Sequence, residues 1–129
     1  MDDFVLLLNS KNEAKIIMKQ IENYLKNYLK LDLNSKSRYY PNKFGCDFCG
    51  FIIYETHILL RKRFKLKLKR KIKKWNKLYK NNNFIESKFM LQWNSILSHS
   101  RHACSYNFIN RCISNMLFTD VKKYHKNIL

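Results

Sequence analysis

Two demands are superimposed on the stretch Arg61–Tyr79, RKRFKLKLKRKIKKWNKLY, and together they leave few ways for the chain to fold. Ten of the fourteen positions from Arg61 to Lys74 are Lys or Arg, and none is acidic. Inside that run Phe64, Leu68, Ile72, Trp75 and Tyr79 follow at steps of four, four, three and four, the spacing of one helical stripe. A helix of this kind docks its apolar stripe on a core and offers the rest of its circumference to a polyanion. The plain alternative is a solvated basic face with no partner. Charge at this density repels itself unless something answers it, so a nucleic-acid phosphate backbone is the expected partner.

The charge is unevenly placed. Residues 1–60 hold eight Lys/Arg against seven Asp/Glu, whereas residues 61–129 hold eighteen against two, so nearly all of the net +17 lies in the second half. Lys outnumbers Arg twenty to six, a bias that A/T-rich coding can produce, but such a bias does not cluster the residues. Hydrophobic residues at 46% and aromatics at 15% supply a packed core. No apolar run approaches the eighteen or so residues of a membrane span, and no signal peptide is recognised at the start, so a cytoplasmic protein with reduced cysteines is expected.

Along the chain, Phe4 to Leu8 read as a short buried strand, and Ser10-Lys11-Asn12-Glu13 has the form of a capping box. A helix is predicted from there to about Lys30, with Ala14, Ile17, Met18, Ile21, Leu25, Tyr28 and Leu29 on one face. Tyr39-Tyr40-Pro41-Asn42 mark a strand ending in a turn. Cys46 to Tyr54 read as one strand, with a turn at Glu55-Thr56-His57 and a return strand at Ile58 to Leu60. After the basic helix, closed by Asn81 to Asn83, a helix capped by Asn83 and Glu86 turns Phe89, Trp93 and Ile96 or Leu97 inward. A polar link from Ser98 to Ser105 leads to a last helix with Ile109, Cys112, Ile113, Met116 and Leu117 on one side. The expected fold class is α+β, with an α+β half over residues 1–60 and a basic three-helix half over 61–129.

Chemistry-bearing residues are few. Asp2 and Asp3, beside an apolar run, are oxygen ligands of the kind magnesium takes, although such a pair behind a Met is ordinarily a solvated terminus. Cys46-x-x-Cys49-Gly50 has the form of a zinc knuckle, with His99, His102 or Cys104 as further ligands. Residues three apart on a strand point to opposite faces, so zinc would need a turn where a strand is expected, and is disfavoured. Cys104 and Cys112 read as buried thiols, His99 and His102 as polar residues at a helix end. Trp75 and Trp93 lie on apolar stripes and read as core, although indoles also stack on bases.

Five segments, taken in order, resemble the C-terminal palm and thumb of reverse transcriptases. MDDFVLL resembles the Y-x-D-D turn without its Tyr, and Leu31-Asp32-Leu33-Asn34-Ser35-Lys36 the L-x-L-N-x-K stretch of the next palm motif. Phe44 to Phe51, FGCDFCGF, resembles the G-x-x-F-L-G-[FY] primer-grip hairpin. Thr56 to Arg63 with the basic helix resembles the start of the thumb, and Ser95 to Ala103 its S-x-L-G-H-x-x-H-A segment. Cys49 and Ser98 depart from the usual Leu and Gly. The basic thumb start and the last segment look most like diversity-generating retroelement enzymes, with group II intron and retron enzymes as alternatives.

The resemblance implies roles by position. Asp2 would bind Mg2+, with Asp3 its less essential neighbour, and Lys36 would help protonate the leaving pyrophosphate. Phe48, Gly50 and Phe51 would touch the primer end. Arg61, Lys62, Arg63, Lys65, Lys69, Arg70 and Lys73 would track the RNA template and DNA primer. No segment corresponds to the fingers or to the strand bearing the other catalytic aspartate. The chain is therefore expected to be inactive alone and to depend for dNTP chemistry on a missing polymerase half or an accessory protein. A stand-alone RNA- or DNA-binding module is the alternative, and a basic amphipathic helix acting on membranes or protein partners a third.

Overall fold

The computed structural model describes residues 4–118, which form four α-helices and a three-stranded antiparallel sheet, an α+β chain. The chain divides into two compact units, one ending at Gly45 and one beginning at Cys46. The shift in charge near residue 60 thus falls inside the second unit.

The first unit is built on α1 (Lys11–Tyr24). Ser10 caps it as expected, its Oγ accepting from the Glu13 N–H at 3.1 Å, while Glu13 reaches back to the Asn9 N–H at 2.9 Å. The helix does not run uniformly to Lys30. It ends at Tyr24 and passes into one π-helical turn over Leu25–Leu29, stopped by Lys30 in the left-handed region (φ 55°). Leu25 accepts from the N–H groups of both Lys30 and Leu31, the wider ring of a π-turn.

The expected stripe is half-buried through Ala14, Ile17, Met18, Ile21 and Leu25, but Tyr28 and Leu29 stand exposed beyond it. Phe4 to Leu8 do not form the buried strand expected of them. Among the described residues they have no ladder partner, and Leu7 is 77% exposed. A strand is a relation between neighbours, and an apolar run cannot supply its own. Tyr39 and Tyr40 likewise form no strand; Pro41 instead precedes a 3-10 turn over Asn42–Phe44.

The second unit opens with β1 (Cys46–Phe48), β2 (Phe51–Ile53) and β3 (Ile58–Leu60), in the order β1-β2-β3. The single strand expected over Cys46 to Tyr54 is therefore broken. Phe48 pairs with Phe51, and the two residues between them, Cys49 (φ 48°) and Gly50 (φ 93°), both have positive φ, as a type I′ hairpin turn requires. The turn from β2 to β3 falls where expected, closed by the Tyr54 N–H donating to the His57 carbonyl at 2.9 Å.

Three helices follow: α2 (Lys62–Lys80), α3 (Glu86–Ser100) and α4 (Tyr106–Ser114). Asn81 to Asn83 end α2 as expected, Asn82 in the left-handed region (φ 55°). Asn83 does not cap α3; the cap position is Ile85, with no side-chain hydrogen bond. Nor is Ser98 the start of a link, because α3 continues to Ser100, a buried residue whose Oγ donates to the Ile96 carbonyl at 2.7 Å. Ser105 Oγ donates in turn to the Ser100 carbonyl at 2.7 Å and closes the connection to α4.

The core joins Leu68, Ile72 and Trp75 of α2 to Phe89, Trp93 and Leu97 of α3 and to Ile109, Cys112 and Ile113 of α4. Trp93 is 1% exposed and meets Trp75 edge to face at 6.4 Å, so both indoles are core, as their stripes indicated. At the end of α4, Met116 is buried as expected, but Leu117 turns outward and Phe118 takes the inward place against Phe84 and Phe89. The Asn76 side chain fixes this segment to α2. Its amide donates to the Asn115 carbonyl at 2.8 Å and its oxygen accepts from the Leu117 N–H at 3.1 Å. No helix among the described residues is long and apolar enough to cross a membrane.

Candidate nucleic-acid interface

Burial of one stripe of α2 decides where its charges go. At about 100° per residue, Phe64, Leu68, Ile72 and Trp75 share one side, and Lys62, Arg63, Arg70, Lys73, Lys77 and Lys80 fall within an arc of about 100° directly opposite. All six of these cations are exposed. A shallow depression on this face is lined by Lys62, Arg63, Leu66, Lys67 and Arg70. Among the described residues none of the basic side chains from Lys62 to Lys80 is paired with a carboxylate. Self-repulsion is felt within the helix. Burial first, then Lys67 and Lys74, hold the Lys71 ammonium below its usual pKa of 10.5, and its Nζ lies 5.5 Å from the Trp75 ring centre.

Two of the expected phosphate contacts have other engagements. Arg61, the residue before α2, pairs with Asp47 of β1 and so ties the sheet to the helix start. Lys65 is half-buried, its Nζ 5.9 Å from the Phe108 ring centre, at the border between the cationic face and the core. Lys62, Arg63, Lys69, Arg70 and Lys73 remain open to solvent.

The β1–β2 turn meets the helices through one ring. His99, in the last turn of α3, stacks on Phe51 (4.5 Å, 20°) and lies 4.8 Å from Phe64 of α2. His102 joins this cluster 6.3 Å from Phe51, edge to face. A Cβ on Gly50 would lie 3.1 Å from His99 Cε1, a tight contact that adds to the preference its positive φ gives glycine there. The Arg61 N–H donates a long bond, 3.5 Å, to the Gly50 carbonyl, and the Cys104 N–H donates to the Ile58 carbonyl of β3 at 2.8 Å. Three segments well separated in sequence, Phe48–Phe51, Arg61–Phe64 and His99–Cys104, thus meet at one end of the helical core.

The remaining candidates are placed as follows. Asp2 and Asp3 lie outside the described residues. Lys36 is exposed in a turn of the first unit, where its N–H donates to Asn34 Oδ1 at 3.0 Å. The Cys49–Gly50 turn removes the objection raised against a zinc knuckle, since Cys46 and Cys49 are not on one uninterrupted strand. Among the described residues, however, no three His, Cys, Asp or Glu side chains converge on a metal-sized site. The magnesium implied by the resemblance has no ligand set among them either.

Cys112 is buried as expected, and burial pushes its thiol up to about 11, against a weaker opposite pull from Lys69. Cys104 is exposed, not buried. His99 and His102 read from the sequence as polar residues at a helix end, which is where His99 stands, but their ring contacts and the role of Asn76 were not apparent there. The S-x-x-x-H-x-x-H-A spacing was the available signal for the two histidines; Asn76 had none. Comparison with protein-family models, curated proteins and solved structures found no match to this chain.

Proposed function

We propose that this chain is the template–primer-binding C-terminal portion of an RNA-directed DNA polymerase. In this reading α2 follows the backbone of an RNA–DNA duplex, and the β1–β2 turn, through Phe48, Gly50 and Phe51, meets the primer end. The observation that carries it is the division of α2 into a stripe consumed by the core and an opposite face of six exposed cations, none of them paired with a carboxylate among the described residues. Phosphates are the partner such a face suits, because release of their condensed counterions drives binding. The hairpin supports the narrower reading. It stands at the N-terminal end of that helix, where a basic module with no interest in strand ends has no need of it. A lipid surface fits less well, since the apolar stripe it would take up is already covered: Leu68, Ile72 and Trp75 are all buried.

In the complete enzyme Asp2 and Asp3 would contribute metal ligands, and Lys36 would act near the departing pyrophosphate. Only one of the two aspartate sites needed for nucleotidyl transfer finds a counterpart in these residues, so the contribution proposed for them alone is binding. The test is direct titration of the purified chain with an RNA–DNA hybrid bearing a recessed 3′ end and with the same duplex made blunt. Salt-sensitive binding that prefers the recessed end supports the polymerase reading. Equal, salt-sensitive binding of both leaves a general RNA- or DNA-binding module, and binding that survives high salt removes both.

A further inference from the structure

We propose that His99 is a positioning residue that sets the reach of the β1–β2 turn relative to the cationic face of α2, and so makes recognition of a duplex end depend on an imidazole that touches no nucleic acid. This rests on the reading given above and adds to it a residue and a division of labour.

The imidazole belongs to α3, yet each of its contacts is with a different element. One is the stack on Phe51 of β2, another the tilted contact with Phe64 of α2. Its edge underlies Gly50, where a Cβ would come within 3.1 Å of Cε1 and 3.5 Å of Nε2. The turn is held from a second direction by Arg61, through the Asp47 pair and the backbone bond to Gly50. A two-residue turn on three-residue strands buries little of its own and is marginal by itself. β2 is also paired with β3 along its length, and at the turn itself these two attachments set the angle. Without the ring the turn keeps its Arg61 tether and can rock about it, while the α2 cations stay where the helical core puts them. End recognition and backbone affinity are consequently separable at this residue.

The experiment compares His99→Ala, His99→Phe and the unaltered chain. For each, affinity for the recessed and the blunt RNA–DNA duplex is measured over a salt series, together with Tm. In His99→Ala the recessed-over-blunt preference should fall about tenfold, the scale of one or two lost ring contacts. Blunt-duplex affinity and the salt slope should hold, because they belong to α2. His99→Phe, which keeps a ring to stack, should restore the preference. Retention of the preference in His99→Ala overturns the inference. So does a parallel loss of both affinities with Tm in His99→Ala and His99→Phe, which would mark a merely structural residue. If His99→Ala does not fold, His99→Leu fills the space without offering a ring face and decides by the same criteria. A lack of preference in the unaltered chain would instead refute the polymerase reading itself, and is seen before any variant is made.

Discussion

The double substitution Lys73→Gln, Lys77→Gln tests whether the face of α2 opposite the core is the nucleic-acid interface. Both side chains are exposed near the middle of the six-cation arc, and Gln is a good helix former, so the helix itself should be unaffected. The 19 residues of α2 make a rod about 28 Å long. If each of the six opposing cations meets one phosphate, the slope of log affinity against log salt is about −5.4. Raising salt from about 50 to about 200 mM then weakens binding about a thousandfold.

Removing two contacts brings the slope to about −3.6 and the loss over the same range to about a hundredfold. Fluorescence anisotropy with a labelled RNA–DNA duplex at several salt concentrations measures both. The control is Lys15→Gln, Lys19→Gln in α1, which removes the same charge from the chain's net +17 but none from α2. An unchanged slope in the α2 variant would refute the assignment. Equal flattening in the α1 control would show that bulk charge, not a located face, governs binding.

Three further outcomes are expected. Cys49 occupies a left-handed position with φ 48° beside Gly50, and Asn-Gly is the pair that a type I′ turn favours. Cys49→Asn should therefore raise stability by about 1 kcal/mol in thermal or denaturant unfolding. Iodoacetamide at neutral pH should label exposed Cys49 and Cys104 in the native chain but leave Cys112, buried and with its pKa raised to about 11, unlabelled until unfolding; peptide mass mapping reads the result. The lowered pKa of Lys71 means that the folded chain disfavours its charge. That penalty is fully present at neutral pH and fades as pH rises through the lowered folded value toward 10.5. Lys71→Met should accordingly raise Tm at neutral pH, with the gain shrinking as pH approaches 10.5.

How far the fold was legible depended on whether an element is specified locally or by its neighbours. The α2 stripe was readable because Phe64, Leu68, Ile72 and Trp75 keep helical spacing through a run in which every other position is polar or basic apart from Leu66, whereas Tyr79, the fifth member expected, stands exposed at the helix end against Phe84 and Phe118. The same holds for Phe89, Trp93 and Leu97 and for Ile109, Cys112 and Ile113, all of them buried. Phe118 was not readable, because it lies past the end of α4, where no period remains to extend. The stretch CDFCGFIIY looked like one strand because its residues are mostly strand formers. Its length should have prompted a search for a turn, as nine residues exceed the usual strand of about five or six. Gly50 alone marked the turn, since Cys is an uncommon partner for it.

Phe4 to Leu8 failed as a strand for the opposite reason: the local signal was strong and the partner was missing among the described residues. Of the candidate interface, the cations were legible from composition and spacing. The division of labour among Arg61, Lys65 and the rest was not, because Asp47 and Phe108 reach them only through tertiary structure.

The Asn76 carboxamide gives the molecule a built-in clock. The Leu117 amide follows the last turn of α4 and has no helical acceptor; the Asn76 side-chain oxygen, projected from the C-terminal part of α2, is its partner. Its proton is therefore held in a hydrogen bond only while α2 and the tail of α4 remain docked. Fraying of α4 from its own end and separation of α4 from α2 are different events, and most amides in the helix report the two mixed together. Deuterium uptake at this single amide reports release of the segment after α4 from α2, and its rate relative to the α2 core amides measures how often that segment lifts away while the rest of the core holds.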